Sequence, residues 1–513
     1  MPDLHRPITL PAAQLALFPP ALPTAPGPGS DPWGDAYCSE HSPAARRGHG
    51  ITLTPPWLVQ AMFNQLGSEN FDTVVDAGAG SGRFVVAAAR RFPRARIVAV
   101  EPHPDMLGLL RQALLREGLS ERVHVVAGDF RDAQIALEGR CLFIGNPPYV
   151  RHHDIDASWK AWYRDRMRSR GIAASQLAGL HLHFLLRAAD LMRAGDALCY
   201  VTSSEWLDNG YGSAARALLG RGEPLTLKSL WVAEPGEAVF PDALVSAAVF
   251  HAECSVPGAS ASVKVGVISG GALREVRTLP AAALAESQRW SVLTQATLPS
   301  APVGIELGEL FQVTRGQVTG NNGLWVLPSD QVELPRGLTV AAVTRAREII
   351  DGSVALPVAV PAFRRVVQLP RELDALTAQE RVAAERFIER ARALGGDQSY
   401  IARHRKPWFA IDMRRPPAAF VSYMGRRSPV FAANPAGLSF INIAHGLYPR
   451  APMSATSLHR ILAHLNRTTR LHDGRVYGGG MAKFEPSDVA RLRIPASVLA
   501  ASWSPPGSSA SGS

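Results

Sequence analysis

Between residues 71 and 253, short apolar runs alternate with segments whose apolar side chains recur every three or four positions. The runs at 73–76, 96–100, 123–126, 141–144, 197–202, 227–232 and 245–251 are rich in Val, Ile and Leu and predict buried strands. Helices are predicted after the Gly-rich turn through Arg91, from about Asp105 to Glu117, and near His181 to Met192. Such alternation predicts an α/β fold, a doubly wound parallel sheet with its loops gathered at the C-terminal strand ends. Beyond residue 253 the pattern loosens. Strands such as 311–313, Gly- and Pro-rich loops and one helix from about Thr377 to Leu394 give a mixed α+β character, with no internal repeat.

A chain of 513 residues exceeds what one core supports, so two or more domains are expected. Composition divides it into a Pro-rich tail over 1–35, an α/β domain over 36–260, a second domain over 261–500 and a Ser/Gly tail over 501–513, both tails expected to be disordered. No run approaches the roughly 20 apolar residues of a membrane span. The N-terminus lacks a basic-then-apolar signal pattern. Cys38, Cys141, Cys199 and Cys254 show no Cys-x-x-Cys spacing, so neither a zinc knuckle nor a disulfide framework is expected, and a reducing cytoplasm is the simplest compartment. His152-His153 has no third ligand at a suitable spacing, and no metal is expected. The charge changes the picture most. Residues 1–261 carry 24 basic and 26 acidic side chains, whereas 262–513 carry 30 and 18. An excess confined to one half, nearly all of it Arg, points to nucleic acid.

The first strand ends in Asp76-Ala77-Gly78-Ala79-Gly80-Ser81-Gly82, a turn that lets a ligand approach the backbone beside a helix N-terminus. Glu101 ends the second strand, placed for two ribose hydroxyls, and Asp129-Phe130 follows the third. An acid at Asp76 repels a pyrophosphate and suits a cationic amino-acid group, which favours S-adenosylmethionine over a dinucleotide. Upstream, Thr54-Pro55 starts an amphipathic helix and is placed to lid the methionine end of that cofactor. The fourth strand runs into Asn146-Pro147-Pro148-Tyr149, where two prolines fix the directions of an amide and an aromatic ring. That turn suits gripping a flat, nitrogen-bearing substrate.

On Leu53-Thr54-Pro55-Pro56, the Gly-rich turn, Glu101, Asp129-Phe130, Asn146-Pro147-Pro148-Tyr149 and Val239-Phe240-Pro241, in that order, the chain resembles the γ-class N6-adenine DNA methyltransferases of restriction–modification systems. The likeness is specific over about 48–253 and looser beyond, where it rests on Tyr477-Gly478-Gly479-Gly480 and Lys483-Phe484-Glu485-Pro486. It implies a class I methyltransferase domain followed by a target-recognition domain, acting on a flipped-out adenine in double-stranded DNA. Asn146 and the Pro147 carbonyl would accept the amine's N–H bonds, raising the nucleophilicity of its nitrogen toward the sulfonium methyl. Tyr149 would stack on the target ring and Phe240 would cover its other face. Thr54, Asp76, Gly78, Gly80, Gly82, Glu101, Asp129, Phe130 and Asn146 would hold the cofactor. Arg151 and Lys160, in a basic and aromatic segment running to Arg170, would hold phosphates beside the flipped base. Arg403, Arg405, Lys406, Arg426 and Arg427, interleaved with Trp408, Phe409 and Tyr423, are the expected DNA contacts of the second half. A monomer, with a cognate restriction endonuclease as possible partner, is expected.

Three rivals fit parts of this pattern. A glutamine N5-methyltransferase of release factors shares the Gly-rich turn and Asn-Pro-Pro-Tyr, but is little more than a catalytic domain, whereas here 364 residues follow Tyr149. An RNA adenine methyltransferase is the second. A non-catalytic DNA-binding module is the third, and the intact Asn146 and Tyr149 speak against it.

Overall fold

The computed structural model describes residues 31–220, 225–240, 246–254, 262–295, 304–330, 333–350, 363–477 and 480–499. Residues 1–30 of the expected N-terminal tail, the whole expected tail over 501–513, and Pro241, Val245, Gly478 and Gly479 lie outside the described residues. The chain forms two compact units that divide near residue 298.

The first unit is built on nine strands: β1 (Thr73–Ala77), β2 (Arg96–Glu101), β3 (Val123–Ala127), β4 (Cys141–Gly145), β5 (Ala197–Ser203), β6 (Leu225–Ala233), β7 (Ala247–Cys254), β8 (Ser262–Ser269) and β9 (Ala272–Pro280). They lie in the order β3-β2-β1-β4-β5-β7-β6-β8-β9. β1 to β5 are mutually parallel, as the strand–helix alternation predicts. The other end departs from the all-parallel expectation, because β7 runs antiparallel to both β5 and β6, and β9 antiparallel to β8. The physical reason lies in the connections. Parallel neighbours need a long crossover, and no helix separates β6 from β7 among the described residues.

Alternation along each strand sends side chains to two cores. Val75, Val98, Phe143 and Leu198 face one layer. Val74, Ile97, Leu142 and Cys199 face the other. Among the described residues nine helices accompany the sheet: α1 (Pro32–Glu40), α2 (Pro43–Arg47), α3 (Pro56–Asn64), α4 (Arg83–Arg91), α5 (Pro104–Arg116), α6 (Ala157–Ser169), α7 (Leu180–Leu191), α8 (Ser213–Gly220) and α9 (Ala282–Glu286). Burial of Leu182, Phe184, Leu185 and Leu186 places α7 against the first core, while Leu58, Met62 and Phe63 of α3 fill the second. The chain moves from β1 outward to β2 and β3, then returns to β4 on the other side of β1. That reversal opens a crevice at the carboxyl ends of β1 and β4.

Both domain edges differ from those expected. Residues 32–35, assigned to a disordered tail, are the first turn of α1, whose N-cap Asp31 accepts from Gly34 N at 2.9 Å. A boundary at 260/261 falls inside the first sheet, since β8 pairs with β6 and β9 with β8. Trp290, 1% exposed, then anchors the chain to the same core, its Nε1 donating to the Leu284 carbonyl at 3.0 Å.

The second unit is mixed, as expected. One four-stranded antiparallel sheet has the order Phe311–Arg315, Ala444–Pro449, Ala419–Ser422, Phe431–Ala433, and packs against the helix Ala455–Thr468. A second four-stranded sheet, mixed because its last pair is parallel, has the order Val326–Leu327, Arg365–Val367, Thr339–Val343, Ser439–Phe440. The helix Ala378–Ala393 begins with a Thr377/Glu380 capping box and packs Phe387 and Ile388 on that second sheet's core.

Candidate active site

At the crevice between β1 and β4 lies a cavity of about 390 Å³, lined by Thr54, Gly78, Gly80, Glu101, Asp129, Asn146 and their neighbours. Its size is in the range of small-molecule sites. Gly80 has φ +54° and donates its backbone N–H to Glu101 Oε2 at 2.8 Å. The other oxygen of Glu101 accepts from His103 N, also at 2.8 Å. Burial raises the pKa of this carboxyl against those two bonds, and the two amides fix its direction. A fixed carboxylate facing a cavity suits a pair of vicinal hydroxyls.

Asp129 also lines the cavity, but its carboxylate is already engaged. Arg131 Nη2 approaches Asp129 Oδ2 at 2.6 Å and Arg131 Nε approaches Oδ1 at 3.0 Å, a two-pronged pair. The same guanidinium lies 4.1 Å over the ring of Trp159 on α6. Three residues expected at the cofactor do not line the cavity. Gly82 packs on α5, where a Cβ would stand 2.7 Å from Leu110 Cδ1. Phe130 is fully buried against Phe143 and Phe184, so its apolar bulk went to the core. Asp76 is 1% exposed, with neither carboxylate oxygen hydrogen-bonded. Burial first, then the charge of Glu101, pushes its pKa well up. It lies on the β1 ladder between Ala99 and Ile144.

Asn146 reaches the cavity from the end of β4. Its Nδ2 donates to the Thr52 carbonyl at 2.9 Å and to Thr54 Oγ1 at 3.1 Å, while its Oδ1 is buried without a partner. Tyr149 N donates to the Gly50 carbonyl at 3.4 Å. Gly50 has φ +68°, and a Cβ there would stand 2.9 Å from Tyr149 N and 3.1 Å from Pro148 Cβ. The segment 50–54 therefore props the Asn-Pro-Pro-Tyr turn from below as well as lining the cavity.

The aromatic pair differs from the expected arrangement. Tyr149 and Phe240 have ring centroids 6.0 Å apart and planes at 79°, edge to face rather than two parallel walls. Phe240 is 2% exposed and belongs to the core, and the Tyr149 hydroxyl is buried without a partner. His181 of α7 meets the Tyr149 ring edge-on at 6.3 Å and has no hydrogen bond on either nitrogen.

Of the basic segment after the turn, much is spent within the fold. Arg166 and Arg170 pair with Asp190, and Arg164 and Arg168 with Asp165. Tyr163 is buried, stacked on His183 at 4.7 Å. Arg151 is exposed and Lys160 half-buried, neither with an ion pair among the described residues. In the second unit Arg403, Lys406, Arg426 and Arg427 are exposed. Arg405 is not available in the same way, since its guanidinium donates to the carbonyls of Val318 and Thr319 at 2.9 and 3.3 Å.

The residues that sequence reasoning missed flank the Gly-rich turn. Asp31 Oδ2 accepts from Ser81 Oγ at 2.5 Å and from Arg83 Nε at 2.7 Å, and Arg83 also donates to the Thr54 carbonyl at 2.9 Å. The Asp31-Pro32 pair is a helix-start signal that could have marked this segment as ordered.

Family models match three stretches: "Type II methyltransferase M.Eco57I, C-terminal domain" over residues 284–505, "Methyltransferase domain" over 74–164, and "Eco57I restriction-modification methylase" over 142–223. The type II methyltransferase M.XamI of Xanthomonas campestris pv. amaranthicola is 41% identical over 453 residues, spanning 87% of this chain and 85% of its own. The chain belongs to the type II methyltransferases of restriction–modification systems. It is a DNA methyltransferase with a class I domain, a group that uses S-adenosylmethionine. A release factor glutamine methyltransferase of Chlorobaculum tepidum is 29% identical, but over only 26% of this chain and 47% of its own. The type IIL restriction–modification enzyme MmeI, solved in complex with DNA, shares the fold at TM-score 0.60 with 11% identity, covering 90% of this type II methyltransferase and 70% of MmeI.

Proposed function

We propose that this type II methyltransferase transfers a methyl group to the exocyclic N6 of an adenine flipped out of double-stranded DNA. One observation carries the reading: Asn146 holds its N–H groups on Thr52 and Thr54 and leaves a buried, unpartnered carbonyl oxygen at the cavity. An exocyclic aromatic amine is a poor nucleophile because its lone pair is delocalised into the ring. An acceptor for its N–H bond, with the Pro147 carbonyl as the second, draws that lone pair back onto nitrogen. No strong base is required, because Asn146 is preorganised by its own hydrogen bonds. S-adenosylmethionine, when bound, supplies an electrophilic sulfonium methyl.

The residues present fit that cofactor. Glu101, fixed by two backbone amides, suits the ribose hydroxyls, and the backbone at Gly78 and Gly80 lets the ligand approach closely. Thr54 and Asn146 line the same cavity. Tyr149 provides a stacking face for the target base, and Arg151 and Lys160 hold flanking phosphates. The basic excess of residues 262–513 supplies the sequence-independent part of DNA affinity, with Arg403, Lys406, Arg426 and Arg427 as its exposed contributors. A cognate restriction endonuclease is the partner this role implies.

Methylome sequencing of a host expressing the chain, with and without Asn146→Ala, tests the proposal. A new N6-methyladenine motif present only with the intact chain is expected. Transfer of labelled methyl to a release factor or to RNA, with no mark on DNA, would overturn it.

A further inference from the structure

At the opposite end of the first sheet from the active site, three side chains converge that the reaction does not use. β7 runs antiparallel to β5, so His251 stands beside Cys199 and Glu253 beside Ala197, at the beginning of β5 rather than at its catalytic end. Glu69, in the connection between α3 and β1, reaches the same place. One ligand atom each of Glu69, His251 and Glu253 lies within 4.8 Å of the others.

The imidazole is what distinguishes this group from an ordinary acidic cluster. His251 is 5% exposed, and its Nε2 is buried with no hydrogen-bond partner. Ser229, its cross-strand neighbour on β6, also carries a buried hydroxyl with no partner. Buried nitrogen and oxygen atoms without partners cost stability unless something satisfies them. The two carboxylates, by contrast, are oriented. Arg140 Nη2 holds Glu69 Oε2 at 2.5 Å, and Lys228 Nζ holds Glu253 Oε2 at 3.1 Å. Each cation takes one oxygen and leaves the other unengaged, the way outer partners orient the ligands of a metal.

We propose that Glu69, His251 and Glu253 form a binding site for a borderline divalent cation of the zinc class. One nitrogen and two carboxylate oxygens are a donor set for zinc, with a fourth position open to water. Ligand atoms around one zinc stand about 3.4 Å apart, given bonds of roughly 2.1 Å. Closure from 4.8 Å is therefore a small rotation of two half-buried glutamates about a fixed imidazole. The cation would tie the connection before β1 to the end of β7, and its role is structural.

The test uses the full chain, freed of metal with a chelator and titrated with zinc ions against a chromophoric competitor, alongside thermal melting. The expected result is one zinc site per chain that is at least tenfold weaker in both Glu69→Gln and Glu253→Gln. The melting temperature should rise with zinc in the unaltered chain only, and methyl-transfer rates of the two variants should stay within twofold of it. His251→Gln should abolish the site. If that variant fails to fold, the two glutamate variants still decide the matter. Equal zinc binding by the unaltered chain and both variants, or none by the unaltered chain, would overturn the proposal and leave an ion-pair cluster.

Discussion

Asn146 donates through Nδ2 to the carbonyl oxygen of Thr52 at 2.9 Å, and that bond fixes which way its amide faces. A backbone carbonyl can only accept, so the nitrogen must point to it and the oxygen must point away. The acceptor is thus aimed by a residue almost a hundred positions upstream. Asn146→Ala should lower the methyl-transfer rate by about 10²- to 10³-fold, the size seen when one preorganised polar group is removed from a transition state. Thr54→Val, which removes one of the two anchors, should cost about 1 kcal/mol, or about fivefold. Single-turnover methylation of DNA at saturating cofactor measures both.

Gly50 supports the catalytic turn by having no side chain. Gly50→Ala would bring a Cβ to 2.9 Å from Tyr149 N in a left-handed conformation. We expect a stability loss of about 1–3 kcal/mol in urea unfolding, from backbone strain. A fall in methylation should accompany it, because the displaced group is Tyr149. Unchanged activity in a destabilised variant would separate the two effects and remove the supporting role.

Asp31 and Arg83 form a nearly buried pair, with side chains 9% and 11% exposed. Asp31→Ala removes the buried one of the two carboxylates that Arg83 meets, the other being exposed Asp35, and should cost about 3 kcal/mol, less whatever Asp35 recovers. The double variant Asp31→Ala/Arg83→Met should cost less than the sum of its parts, because each single change already removes the bond between the two side chains. Thermal unfolding of the four proteins of this cycle gives the coupling directly.

Burial pushes His181 down to about 4, from an ordinary value of 6.5. Below pH 6.5 the unfolded chain takes up a proton that the folded chain refuses, so stability falls as pH falls. The slope from this group is about 1.4 kcal/mol per pH unit between pH 6.5 and 4, and nil above it. His183, pushed down to about 3, adds a second contribution of the same sign. His181→Phe should flatten the acid limb by one group's share in denaturant titrations at several pH values.

The strands of the α/β sheet were legible because buried parallel strands are short apolar runs, and the observed β1 to β5 contain the expected ones. Glu101 and Asn146 were legible because strand ends and turn chemistry mark them locally. What escaped depends on long-range packing. Asp31 sits in a Pro-rich stretch whose composition resembles a tail, and its partners Ser81 and Arg83 are about fifty residues away. Phe130 beside Asp129 reads as a site aromatic, yet the core claimed it, and Arg131, one position further, claimed the acid. The direction of β7 could not be read from its apolar run, because periodicity is blind to strand polarity.

The pairing of β8 with β6 has a practical consequence for dissecting this protein. A fragment cut at residue 260 would strip the neighbour from β6 and leave a long hydrogen-bonding rim bare, with Leu230, Trp231 and Val232 along it. Such a rim invites a second copy to dock and grow into aggregate. A fragment carried on to residue 295 would keep that rim covered and retain Trp290 as its closing plug.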